Sequence, residues 1–434
     1  MKTNVQWRIE VWADWAELSR STFMGVLSAT PGRGSETFSF EYDKAWLKAG
    51  PSQTLDPGLV LYQGPQCAAS GGKNFGLFLD SSPDRWGRHL MQRREAQIAR
   101  EEKREPRGLR ESDYLLGVCD GHRMGALRFR TAPDGPFLDD NTAMASPPWT
   151  SLRELEHASL QLERDDAEKD PHYSSWLRLL IAPGGSLGGA RPKAGVVDPQ
   201  GHLWIAKFPH PNDEMDVGAW ECVVHELASG AGVMVAPGRA QKFSSRHHTF
   251  LTKRFDRTER GERRHFASAM TLLGRSDGDD ASSGVSYLEI AEFIMRQGAR
   301  VDEDLEQLWR RIAFSICVSN VDDHLRNHGF LLDTEGWSLS PAYDMNPVAT
   351  ASGLKLNVSE YDNSLSLDLP REVAKYFRIK APRAEQILGE VVAAVGDWRA
   401  AATSLGIPAS EQNRMARAFR LAKRWAGRPG RTRR

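Results

Sequence analysis

The sequence predicts an α+β chain: a small N-terminal α+β module, then a lobe mixing strands and helices, then a mostly helical C-terminal lobe. Three observations carry this. Before Thr131, short alternating runs such as MGVLSAT and FSFEY read as strands, and RHLMQRREAQIAREEK repeats its apolar residues at helical spacing. Between Pro183 and Val233 a Gly-rich segment, a strand pair and a helix follow one another. From Tyr287 onward helical periodicity dominates, interrupted by one acidic stretch. At 434 residues the chain exceeds one ordinary core. The expected boundaries are 1–135, 151–260 and 261–434, with the Pro-, Gly- and Asp-rich stretch Thr131–Trp149 as the crossing between the first two.

Composition narrows the function classes. Lys plus Arg number 57 and Asp plus Glu 57, with 40% hydrophobic and 26% charged residues, which describes a soluble globular protein. Such balance argues against a protein held on nucleic acid by charge alone. The basic tail Arg414–Arg434 reads as a solvated helical face with a frayed end. Cys67, Cys119, Cys222 and Cys317 lack paired spacing, so neither a zinc module nor a disulfide framework is expected, and a reducing cytoplasm is. The start, MKTNVQWRIEVWADW, lacks the apolar run of a signal peptide, and no segment suggests a membrane span.

In PGGSLGGARPKAGVVDPQGHLWIAKF, Pro183–Phe208, the DPQG turn predicts a β-hairpin. AWECVVHELASGAGV places Trp220, Val223, Val224 and Leu227 on one helical face, and RHHTFLTKRFDR reads as another strand. The acidic stretch is SNVDDHLRNHGFLLDTEGWSLSPAYDMNPV, with Asp322, Asp323, Asp333 and Asp344 close to two histidines. The order is therefore Gly-rich loop, strand with Lys, helix with Glu, strand, helices, acidic loop.

That order suits phosphoryl transfer, which needs positioning and charge neutralisation more than covalent chemistry. Asp322 and Asn327 have the D-x-x-x-x-N spacing of a base and a metal-binding amide, and Asp344 follows a probable strand pair, GFLLD and WSLSP, where a second Mg²⁺ ligand belongs. Strict alternation puts Lys207 beside Leu203 and Ile205, so its ammonium needs an anion: an ATP phosphate or the carboxylate of Glu221. The glycines of GGSLGGARPK, Gly188 and Gly189 among them, let backbone N–H groups converge on phosphate. The segment is not a Walker motif and leads into a strand. A hydrolytic metal site of Asp322, His324 and His328 is disfavoured, because no further ligand cluster completes it. Together these pieces predict a protein-kinase-like, two-lobed fold following the N-terminal module.

The same residues resemble the HipA-type serine/threonine kinases, toxins of bacterial toxin–antitoxin pairs. NVDDHLRNHGF resembles their N-x-D-x-H-x-[KR]-N loop, LSPAYDMNP their P-x-Y-D segment, SLGGARPKA their phosphate loop, WIAKFP their ATP-binding Lys strand, and LTKRFDR the strand to the adenine hinge. FLDSSPDRWGR and DYLLGVCDGHRMGALRF resemble the family's N-terminal module. The resemblance implies Asp322 as catalytic base, Asn327 and Asp344 as Mg²⁺ ligands and Lys207, with Glu221, as the phosphate-pairing set. It implies Ser186, Gly188, Gly189 and Phe255 in the nucleotide site and Ser186 as a self-phosphorylated, inactivating residue, since a dianion in an anion-binding loop competes with ATP. Arg326 stands where Lys is common, and Lys253 where an acid can occur, which leaves Phe255 a packing residue more than an adenine contact. GRSDGDDASSG, Gly274–Gly284, reads as a mobile loop on the substrate side.

The expected activity is thus an ATP- and Mg²⁺-dependent serine/threonine protein kinase. The resemblance further implies a cytoplasmic, growth-arresting toxin acting on a translation component such as an aminoacyl-tRNA synthetase. A small helix-turn-helix, HipB-like antitoxin would restrain it and carry it to operator DNA. Two alternatives stand beside this reading: a small-molecule kinase, and an inactive kinase-like corepressor acting with a DNA-binding antitoxin.

Overall fold

Alternation builds the N-terminal sheet. In β1 (Trp7–Ala13) Ile9, Val11 and Ala13 are fully buried, and in β3 (Glu36–Tyr42) Phe38, Phe40 and Tyr42 face the same way into the core, with β2 (Thr22–Pro31) paired between them. Adding β4 (Gln66–Cys67) and β5 (Leu127–Arg130) gives an antiparallel sheet of order β4-β3-β2-β1-β5. The computed structural model describes residues 6–33, 35–69, 73–138, 147–184, 189–350 and 352–426. They form two compact units: Met1–Asp213 with Gln241–Ala267 and Leu331–Thr334, and Glu214–Ala240 with Ser268–Phe330 and Glu335–Arg434.

The expected hairpin is present in the first unit. β6 (Lys193–Val197) pairs antiparallel with β7 (Leu203–Lys207), and the Asp198 carboxylate closes the turn by accepting from the N–H groups of Gln200 and His202 at 2.9 and 2.8 Å. On its other edge β7 pairs with the strand Thr249–Lys253, so β7 is interior and Lys207 is not an edge lysine. Trp86 and Leu90, from the helix Arg85–Glu101, share one core with Leu155, Leu162, Leu180, Val196, Ala206 and Leu251. The helix of the N-terminal module thus packs in the core of this second sheet.

A buried ion cluster joins the RFDR segment to the loop before β5. Arg254 lies against Asp256 at 2.6 Å and Arg257 reaches the same carboxylate at 2.6 Å, while Arg254 also donates to the His122 carbonyl and Asp256 accepts from the Gly125 N–H. Burial opposes ionisation of Asp256, but the Arg254 and Arg257 guanidiniums outweigh it and hold its pKa far below the carboxylate range. Nearby, burial lowers His122 from 6.5 to about 3, with the charges of Arg254, Arg257 and Arg263 acting in the same direction. Burial alone takes His265, stacked on Trp15, down to about 3. Between pH 6.5 and about 3 the unfolded chain therefore binds protons that the folded unit refuses, so stability is full above 6.5 and falls on acidification through that window. Urea midpoints should decline from pH 7 to pH 4, and the slope should shrink in a His265→Phe variant.

In the second unit the helix Val301–Val318 begins with Asp302, Glu303 and Asp304, which suit the positive end of its dipole, and buries Trp309, Phe314 and Ile316. It stops at Ser319, which adopts left-handed backbone at φ 53° while its hydroxyl donates to the Ala418 carbonyl at 2.8 Å. The helix Val217–Gly230 is held by Glu411, which accepts from the Trp220 indole at 2.8 Å and from the Asp216 N–H at 2.9 Å. Among the described residues no helix is long and apolar enough to cross a membrane. All four cysteines are free, Cys67 exposed and the others buried.

Candidate active site

The stop at Ser319 releases the chain as the loop Asn320–Asn327. Its two adjacent acids part company: Asp322 is exposed, whereas Asp323 is only 5% exposed. Asp323 accepts from the Tyr287 hydroxyl at 2.7 Å, and its other oxygen lies 3.1 Å from His328 Nε2. Burial alone would raise Asp323, yet the charge of His328 and the hydrogen bonds from His328 and Tyr287 hold it below its ordinary value. Asp323 is therefore an anchor that fixes the loop, and Asp322 is the carboxylate exposed to solvent. His328 faces this anchor, so it is spent on the loop's own support and not on a metal with His324.

Asn327 donates its amide to the Asp322 carbonyl at 3.0 Å, which turns its side-chain oxygen away from that bond. The segment bearing Asp344 is tied to the same loop on both sides: the Tyr343 hydroxyl donates to the Arg326 carbonyl at 2.6 Å, and the Asn346 N–H donates to the Asn320 side-chain oxygen at 3.1 Å. Asp344 itself takes left-handed backbone at φ 56°, a conformation that Asp and Asn tolerate better than other L residues. Asn327 and Asp344 sit on segments braced to each other, and their side-chain oxygens are the hard donors that could hold Mg²⁺. Among the described residues no group of three or more His, Cys, Asp and Glu is placed to hold a metal ion.

Beside Val321 the second unit holds an open cleft of about 440 Å³, lined among others by Asp280, Val348, Leu354, Lys355 and Asn363. Of the Gly274–Gly284 stretch, expected to be mobile, Asp280, Ala281 and Ser282 line this cleft. Asp277 pairs with Arg326 at 2.7 Å and Asp280 with Lys355 at 3.0 Å. Hydrogen bonds from Ser282 and Lys355 hold Asp280 down at about 2. Arg326 thus uses its charge on Asp277, a partner the spacing of the loop motif could not reveal.

In the first unit Lys207 is half-buried on the face of β7 opposite Ala206, as alternation required. Register sets Lys193, 2% exposed, directly across from it on β6, so two lysines stand side by side at the exit of the Gly-rich segment. Gly189 takes φ 94°, a backbone conformation that strains any side chain, and a Cβ there would also come within 2.7 Å of the mobile end of Lys193, so the conformation favours glycine. Ser186 and Gly188 lie outside the described residues. Phe255 packs its ring 6.1 Å from Phe266, while Lys253 is bound to Glu259 at 2.7 Å. Glu221 is 4% exposed on the helix Val217–Gly230 of the second unit, which also holds Asp322, Asn327 and Asp344.

Sequence reasoning missed Lys193, the Tyr287–Asp323–His328 anchor and Asn320. Lys193 could have been found by counting back from Lys207 across the DPQG turn. Nothing local marked Tyr287, which comes from another helix.

A family model described as the HipA-like C-terminal domain matches residues 185–399. The Sinorhizobium fredii protein Y4mE, which carries a provisional kinase name, is 27% identical over 181 residues, 37% of this chain and 41% of that protein. A Haemophilus influenzae protein, also provisionally named a kinase, is 25% identical over 184 residues, 38% of this chain and 53% of that protein. These matches span roughly half of each relative or less. The HipA chain from Shewanella oneidensis MR-1, solved in a toxin–antitoxin complex with HipB and its operator DNA, superposes with a TM-score of 0.65 over 96% of this chain and 97% of its own, at 18% identity. Residues 185–399 match the HipA-like C-terminal domain, and the chain has the kinase-like fold of the Shewanella oneidensis HipA chain.

Proposed function

We propose that this chain is an ATP- and Mg²⁺-dependent serine/threonine protein kinase, acting in the cytoplasm as the toxin of a toxin–antitoxin pair. The observation that carries the reading is the division of labour at residues 322 and 323: an exposed carboxylate on a loop locked from beneath by a buried one. An alcohol entering over the loop would give its proton to an Asp322 carboxylate oxygen as its oxygen attacks the terminal phosphorus of ATP and the bond to ADP breaks. Asn327 and Asp344 would hold the Mg²⁺, whose charge neutralises the phosphates when it is bound. Lys207 and Lys193 add fixed positive charge on the nucleotide side. Replacing Lys207 with Ala should weaken ATP binding about 10- to 100-fold, the effect of one charge-assisted hydrogen bond, measured by calorimetric titration. Unchanged affinity would remove Lys207 from the site.

Ser186 is the proposed self-phosphorylation site. The Shewanella oneidensis complex supports a HipB-like antitoxin and, through it, operator DNA as partners, and the balance of 57 basic against 57 acidic residues suits a chain that leaves base reading to that partner. An aminoacyl-tRNA synthetase is the proposed class of protein substrate. The test is incubation of purified, unphosphorylated protein with γ-labelled ATP and Mg²⁺ beside Asp322→Asn, followed by peptide mass mapping. Label on Ser186 in the wild type alone supports the kinase. Absence of label despite ATP binding shifts the reading to a kinase-like corepressor or a small-molecule kinase.

A further inference from the structure

One motif of the N-terminal module, SPDRWG, remains without a role in the chemistry so far. Its residues Asp84 and Trp86 close on the end of the Gly-rich segment. The Asp84 carboxylate accepts from the Gly189 N–H, and the Trp86 N–H donates to the Gly189 carbonyl at 3.3 Å. The Trp86 indole N–H donates to the Lys193 carbonyl at 3.0 Å from a ring only 2% exposed. Gly189 is thus held at both of its backbone groups, and the strand start four residues on is held by the same tryptophan. Asp84 is also the N-cap of the helix Arg85–Glu101, accepting from the Arg85 N–H at 2.7 Å. That helix is anchored in the core through Trp86 and Leu90.

We infer that Asp84 is a positioning residue for nucleotide binding: it latches the end of the Gly-rich loop, and the ammonium of Lys193 beside it, to a helix of the N-terminal module. The physical reason is entropic. A glycine-rich segment is the costliest backbone to order, and a loop that must present N–H groups to phosphate gains affinity if one end is ordered beforehand. A charge-assisted bond from a helix-capping carboxylate supplies that order at a residue whose positive φ favours glycine. The N-terminal module is then part of the nucleotide site's scaffold. The inference rests on the kinase reading for its nucleotide readout, but the latch itself can be tested without ATP.

The experiment uses the full chain with Asp84→Ala and Asp84→Asn, the latter keeping an oxygen that can accept from Gly189. Hydrogen–deuterium exchange of the peptides containing Gly189–Lys193 and of the first turn of the Arg85–Glu101 helix is followed without ligand, and KM for ATP and kcat are measured on the same proteins. The expected result for Asp84→Ala is faster exchange at Gly189–Lys193 and a KM for ATP raised about tenfold with kcat changed much less, both partly restored in Asp84→Asn. Faster exchange confined to the helix's first turn, with KM unchanged, would make Asp84 a cap only and overturn the inference. Faster exchange at Gly189 with unchanged KM would overturn the positioning role while leaving the latch. If the chain transfers no phosphate, the exchange result still decides whether the latch exists, and calorimetric ATP affinity replaces KM in deciding the positioning role.

Discussion

Asp322→Asn is expected to lower the rate of phosphate transfer about a thousandfold, with ATP affinity nearly unchanged. General-base assistance by a placed carboxylate contributes about 10²–10⁴-fold, and an amide cannot take the alcohol's proton. Asn keeps the size of Asp322 and, because the side chain is exposed, leaves the fold intact. Asp323→Asn is the informative contrast. It would weaken the acceptor for Tyr287 and uncouple His328, so its main effect should be a lower melting temperature, with loss of rate following from a loosened loop. Initial rates beside thermal melts for both variants separate the two roles. Wild-type rates in Asp322→Asn would defeat the assignment of the base.

Asp256→Ala should destabilise the first unit by about 3–5 kcal/mol, the largest effect on stability we foresee. The Arg254 side chain is fully buried and that of Arg257 7% exposed, and both lean on this one carboxylate. Removing it leaves two like charges facing each other out of water, with no anion between them, and strips the Gly125 N–H of its acceptor. A charge-conserving Asp256→Glu should cost less but still distort the fit. Urea unfolding measures both; a loss below about 1 kcal/mol for Asp256→Ala would mean that water reaches these guanidiniums and that the cluster is not sealed.

How much of this could be read beforehand depended on range. Lys207 was legible because strand alternation is a local rule, and the DPQG turn fixed its hairpin. That the loop carrying Asp322 and Asn327 lies against the segment bearing Asp344 was expected from spacing and resemblance together. The rest depended on distant residues meeting. Asp323 differs from Asp322 only because Tyr287 and His328 close over it, and neither the adjacent pair of acids nor their order says which one is buried. Asp84 reads as an ordinary helix cap until Gly189 arrives beside it. Arg326 and Lys253 looked like departures from a pattern; each has a carboxylate of its own, Asp277 and Glu259, from loops whose sequences carry no motif.

The left-handed backbone at Asp344 bears on how the proposed metal site should be dissected. Alanine, the habitual replacement for a ligand, carries a Cβ but no side-chain oxygen to ease that conformation, so Asp344→Ala would mix the loss of a ligand with a twist in the segment bracketed by Tyr343 and Asn346. A weak Asp344→Ala enzyme would therefore be ambiguous evidence for magnesium. Asparagine, which shares the tolerance for positive φ, removes the charge and little else, and a paired Asp344→Gly protein would reveal how much of any defect is conformational.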